Sequence, residues 1–189
     1  MVNPTTDIDH ILLTEEQLQD MISRLAAEIN HDYSHISYNS PCKLIVVAVM
    51  KGSVFFYTDL IKKLSIPVEL DFVKVSSYGA ATISSGQIKI QLDLKRDDYE
   101  KIDILLVEDI VDSGRTLNSL TQNLRGRGAH SVRTVTMLDK PSRREVDFHA
   151  DYIGAEIPDE FVVGYGLDFD EKYRDLPFVG VLKPEVYAK

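Results

Sequence analysis

Four apolar residues in a row, Ile104-Leu105-Leu106-Val107, run into Glu108-Asp109-Ile110-Val111-Asp112 and then into Ser113-Gly114-Arg115-Thr116-Leu117. No other stretch limits the possible folds of this chain so tightly. An apolar run without polar alternation suits a strand covered on both faces, as in a parallel sheet between helices. The acids fall where such a strand leaves the sheet. Ser113-Gly114 makes a turn, glycine permitting positive φ or close backbone approach. From about Thr116 the leucines at 117, 120 and 124 repeat at helical spacing. The turn therefore lies at a helix N-terminus, where unpaired N–H groups and the helix dipole favour an anion. Three neighbouring carboxylates would repel a bare phosphate. A phosphorylated sugar accompanied by Mg²⁺ satisfies both halves of the pattern. The plainer alternative is an acidic turn in which Asp112 only caps the helix.

The rest of the chain alternates strand and helix. Thr14-Glu15-Glu16-Gln17 reads as a capping box, and Leu18, Met21, Ile22, Leu25, Ala26 and Ile29 follow at helical spacing, predicting a helix from about Glu15 to Asn30. Leu44 to Met50 is a buried strand, Lys51-Gly52-Ser53 a turn leading to a helix through Leu64, and Val68 to Val75 the next strand. Residues 76–87 are small and hydroxylated and cannot bury much apolar surface, so a mobile lid is expected, with a plain hairpin as the alternative. Ile88, Ile90, Leu92 and Leu94 alternate as in a half-exposed strand. Gly126 and Gly128 end the helix after the acidic turn. Val132 to Leu138 is a strand running into Asp139-Lys140-Pro141, and Ala150 to Ile153, Phe161 to Tyr165 and Phe178 to Leu182 are shorter strand candidates. The order implies an α/β fold with ligands at the carboxyl ends of parallel strands.

A chain of 189 residues suits one domain, 1–189, with a core that needs neither metal nor disulfide. Its net charge of −9 argues against a nucleic-acid surface, which needs a clustered basic face. One cysteine, Cys42, excludes an intrachain disulfide and favours a reducing compartment. No apolar run approaches the ~20 residues of a membrane helix, and no basic, apolar leader is visible, so a cytoplasmic location is expected.

The acidic turn, acid-acid-apolar-apolar-Asp-Ser-Gly-basic-Thr, resembles the phosphoribosyl diphosphate signature of the type I phosphoribosyltransferases. Met50-Lys51-Gly52-Ser53, Ser77-Tyr78-Gly79, Leu138-Asp139-Lys140, the block from Ile157 to Asp168 and Arg174-Asp175-Leu176 extend the resemblance to the hypoxanthine-guanine branch, over residues 8 to 182. It implies a central, mainly parallel sheet flanked by helices, under a small hood built from the N-terminal segment and about residues 150–189. It implies Mg²⁺-dependent transfer of ribose 5-phosphate to a 6-oxopurine in purine salvage, by a homodimer or homotetramer. Asp112 would then exchange a proton with the purine. Lys51, Gly52, Ser77, Tyr78, Glu108, Asp109, Ser113, Gly114, Arg115, Thr116 and Arg174 would bind phosphoribosyl diphosphate. Lys140, Phe161 and Val162 would bind the base, and Glu108, Asp109 and Asp168 would serve the metal. A non-proline cis peptide between Lys51 and Gly52 is also implied. Two other readings stay open: a xanthine- or guanine-preferring transferase, and a non-catalytic sensor of phosphoribosyl diphosphate.

Overall fold

The computed structural model describes residues 6–76 and 89–188. The candidate residues Ser77 and Tyr78, with nearly all of the expected lid, lie outside the described residues. Among the described residues, no helix is long and apolar enough to cross a membrane.

The chain opens with β1 (Ile8–Leu13), and Thr14 caps α1 (Glu15–Asp32): its hydroxyl accepts from the Gln17 N–H, and the Gln17 side chain accepts from the Thr14 N–H. Both bonds of the predicted capping box are present, and the helix runs two residues further than expected, to Asp32. Then follow β2 (Lys43–Met50), α2 (Val54–Lys63), β3 (Val68–Ser76), β4 (Lys89–Leu92), β5 (Ile102–Val111), α3 (Arg115–Gly126), β6 (Ser131–Asp139) and β7 (Tyr152–Glu156). Six strands form one sheet in the order β4-β3-β2-β5-β6-β7, parallel throughout except for the edge pair β3 and β4.

Apolar runs become a three-layer core because successive strand residues face opposite sides. Leu44, Val46 and Ala48 of β2, with Leu105 and Val107 of β5, pack against the apolar face of α1 and against Phe56, Tyr57 and Leu60 of α2. Ile45, Val47 and Val49, with Ile104 and Leu106, pack on the other side against Leu117, Leu120 and Leu124 of α3. Both faces being covered, the strands show no polar alternation. Gly154 of β7 marks how tight the first layer is, since a Cβ there would lie 2.3 Å from the Met137 carbonyl oxygen and 2.6 Å from Met21 Sδ. Gly154→Ala is expected to lower unfolding free energy by about 1–3 kcal/mol, the usual cost of overpacking, measurable by urea denaturation.

A second sheet of three antiparallel strands joins β1 to β9 (Val179–Leu182) and β8 (Val162–Val163), and α4 (Pro184–Tyr187) follows. This is the hood, with a core of Ile8, Val163, Leu176, Phe178 and Leu182. The expected hood boundary near residue 150 is corrected: β7 pairs in parallel with β6 and belongs to the main sheet. The strand β1 had no legible alternation because register shifts after Ile8 and after Ile11 break the two-residue period.

Candidate active site

The six-stranded sheet places Glu108 and Asp109 near the carboxyl end of its central strand β5, beside the end of β2. Glu108 is buried, and burial together with the adjacent Asp109 carboxyl holds its pKa well above the ordinary range; burial likewise raises Asp109. Two neighbouring acids with disfavoured charge are a site that gains from hydroxyl donors or a divalent cation. Gly52 makes room for them, since a Cβ at that position would sit 1.5 Å from Asp109 Oδ2. The non-proline cis peptide in this turn joins Met50 to Lys51, one bond earlier than the position expected from the resemblance, where β2 leaves the sheet.

Beyond Val111 the chain turns sharply. Gly114 is the residue before α3, with φ of 81°, a left-handed conformation costly for any other residue. A Cβ on Gly114 would also meet Arg144 Cδ at 2.9 Å. Gly114 has no side chain to cap α3, so the helix N-terminus faces the turn with its dipole favouring an anion. Asp112 therefore is not the helix cap of the plainer reading. Its carboxylate instead accepts from Arg143 Nε at 3.2 Å, and its carbonyl accepts from Arg144 Nη1 at 2.6 Å. Arg144 is largely buried and also donates to Asp139, so it pins the turn to the end of β6. Sequence reasoning left Arg143-Arg144 without a role. Their proximity to Asp112 depends on the three-residue helical turn Pro141–Arg143, which no apolar pattern announces.

Two cavities meet at this turn. One, of about 350 Å³, is lined by Lys51, Gly52, Glu108, Asp109, Asp112, Ser113, Gly114, Thr116, Asp168 and Arg174, among others. The second, of about 250 Å³, is lined by Lys140, Phe161, Val162 and Leu167 together with Asp109, Ile110, Asp112 and Asp168. The last four residues wall both cavities, so Asp112 stands at their junction. Arg115 is the one candidate of the turn whose side chain is in neither wall; its guanidinium pairs with Glu145 at 2.6 Å, and its N–H donates to Ser113 Oγ at 3.4 Å.

In the second cavity Lys140 is 8% exposed and donates to the Glu160 carbonyl at 2.6 Å. Burial pulls its pKa down, against the opposing fields of Asp112, Asp159 and Glu160. A buried ammonium with spare protons beside a half-exposed aromatic ring is suited to a flat ligand that carries an acceptor oxygen.

At the far side of the first cavity, Arg174 donates to the Gly166 carbonyl at 2.7 Å and pairs with Asp168 at 2.8 Å. Lys51 Nζ bonds both carboxylate oxygens of Glu171 at 2.9 Å, and Glu171 also reaches Arg174 at 3.3 Å. These two cations hold the Glu171 carboxyl below its usual range. Glu171 was not a candidate; it lies in a charged segment that reads as surface until the fold brings Lys51, 120 residues away, against it.

The comparisons with known proteins fit this geometry. The phosphoribosyl transferase domain family model matches residues 11–170. A hypoxanthine-guanine phosphoribosyltransferase of Bacillus subtilis is 48% identical over 181 residues, covering 96% of this chain and 97% of that protein. The bifunctional protein TilS/HprT of Listeria monocytogenes is also 48% identical, over 97% of this chain, which spans only 27% of that longer protein. Among solved structures, a hypoxanthine phosphoribosyltransferase from Staphylococcus aureus superposes with a TM-score of 0.91 at 44% identity, covering all of both chains. Sequence, fold and site together place this chain in the phosphoribosyltransferase family, among the hypoxanthine-guanine phosphoribosyltransferases.

Proposed function

We propose that this chain transfers the ribose 5-phosphate group of phosphoribosyl diphosphate to the ring nitrogen of hypoxanthine or guanine, releasing pyrophosphate, in purine salvage. The observation that carries this reading is the pair of cavities sharing Asp112: an acidic, amide-lined cleft sized for a sugar phosphate opens into a slot with a buried ammonium and an aromatic ring. Backbone amides at Ser113 to Thr116 would hold the 5-phosphate, and Glu108 and Asp109 the ribose hydroxyls. Lys51, Gly52 and Arg174 would take the pyrophosphate end. Phe161 stacks on the base, Val162 borders it, and Lys140 donates to the 6-oxygen. Asp112 exchanges the proton of the purine five-membered ring as the glycosidic bond forms, a general acid-base role.

Mg²⁺ fits the acids that are present. Among the described residues no group of three or more acidic, histidine or cysteine side chains forms a metal cage, and Mg²⁺ is commonly held by one or two carboxylates with substrate oxygens completing its shell. Glu108 and Asp109, whose charge burial disfavours, and Asp168 across the cleft are the donors available. When bound, the metal would supply positive charge to the departing pyrophosphate.

A cytoplasmic setting suits the single thiol. Leu70 and Phe72, two apart on β3, and Phe55 on α2 are exposed apolar side chains, and they support self-association as a homodimer or homotetramer. The deciding experiment is an ultraviolet assay of hypoxanthine, guanine, xanthine and adenine, each with phosphoribosyl diphosphate, with Mg²⁺ or with EDTA. Turnover of hypoxanthine and guanine that disappears with EDTA is expected. Turnover of xanthine alone would move the assignment to a different base, and binding of phosphoribosyl diphosphate without turnover of any base would leave only a sensor.

A further inference from the structure

Phe161 lies between the base cavity and the C-terminal helical turn. Phe161 is 37% exposed and lines the cavity beside Lys140 and Val162. One face is covered by Tyr187, with ring centroids 4.7 Å apart and planes inclined by 20°. Phe169 meets the same ring edge-on, at 5.6 Å and 89°. Neither Tyr187 nor Phe169 lines the base cavity, whereas Phe161 does.

The chain builds this stack deliberately into the hood. The Leu182 N–H donates to the Phe161 carbonyl at 2.8 Å, so the strand leading to α4 is bonded to the residue whose ring α4 covers. Pro184 opens the helical turn, its φ suited to the first helical position, and its carbonyl accepts from the Ala188 N–H at 2.8 Å. Val186 and Tyr187 then pack on the hood core of Ile8, Val163, Leu176, Phe178 and Leu182.

We propose that Tyr187 is a positioning residue for the purine, acting through Phe161: tyrosine, phenylalanine and base form a three-ring stack in which the tyrosine holds the middle ring at the angle the base requires. This inference rests on the reading of Phe161 as the ring on which the base stacks. A base that meets a ring already held in place loses less freedom on binding than one that must also order that ring. Aromatic pairs of this geometry correspond to about 2- to 10-fold in an equilibrium constant. Tyr187 is not in the wall of the acidic cleft, so its effect is expected on base affinity alone.

The test uses the full chain with Tyr187→Leu, which keeps apolar packing under α4, Tyr187→Phe, which keeps the ring, Phe161→Leu, and the Tyr187→Leu/Phe161→Leu double variant. Tyr187→Leu is expected to raise the KM for hypoxanthine about 2- to 10-fold, with kcat and the KM for phosphoribosyl diphosphate unchanged. Tyr187→Phe should restore it, and the double variant should be no worse than Phe161→Leu. An unchanged or lowered KM in Tyr187→Leu, effects that add in the double variant, or an equal loss in all kinetic parameters would each overturn the proposal. If Phe161→Leu itself leaves the KM for the base unchanged, the stacking reading of Phe161 fails, a result separable from failure of the tyrosine's role.

Discussion

Replacing Asp112 by Asn is expected to lower turnover about 10²- to 10⁴-fold, the usual contribution of a positioned general acid-base group, with little change in the KM for phosphoribosyl diphosphate. Asn keeps the size of Asp and one acceptor oxygen, so the 3.2 Å contact with Arg143 Nε can persist while the group can no longer take a proton. The backbone carbonyl of residue 112 still accepts from Arg144, and the turn before α3 should hold its shape. The part of the cleft proposed to hold the phosphate, the turn at Gly114 and the start of α3, is not touched by this substitution. Steady-state kinetics with each substrate varied would separate the two effects. Unchanged kcat would remove Asp112 from the reaction; a large rise in the KM for phosphoribosyl diphosphate would mean that its carboxylate serves the sugar instead.

Lys140→Met is the second substitution with a large expected effect. Met replaces the stem of Lys with similar volume and deletes the ammonium, which is buried and donates at 2.6 Å to the Glu160 carbonyl. A hydrogen bond from a charged donor contributes about 1.5–3 kcal/mol, so kcat/KM for hypoxanthine should fall about 10- to 150-fold. Adenine, whose amino group would face a charged donor in the parent, should lose less or gain, so the preference for a 6-oxo group narrows. The measurement is the ratio of kcat/KM for hypoxanthine and adenine in parent and variant. A parallel fall for both bases, with the ratio kept, would assign Lys140 to pocket structure and not to base choice.

Much of this arrangement was legible before the structure because it is local. The capping box of α1 needs only Thr14 and Gln17, three residues apart, and the apolar runs of β2 and β5 announce strands buried on both faces. The stretch from Glu108 to Arg115 likewise carries its own instructions, an acid pair at the strand end and a glycine where φ must be positive. Boundaries were less legible where pairing sets them. The predicted strand from Ala150 to Ile153 is observed at Tyr152–Glu156, because its limits follow the register with β6. The strand Ile8–Leu13 was not predicted at all, since its register shifts spoil the alternation by which a lone strand is recognised.

The sequence by itself determined the layered α/β architecture, the acidic turn at a helix start and the residue types gathered at that turn, because each depends on periodicity or on groups within a few positions of one another. Only the tertiary structure decided that Arg143 and Arg144 hold Asp112 from across the end of β6, that Lys51 and Arg174 share Glu171, and that Tyr187 covers the ring of Phe161. Those contacts join segments up to 120 residues apart. They arise from strand order and from the closure of the hood over the sheet, and neither leaves a periodic trace along the chain.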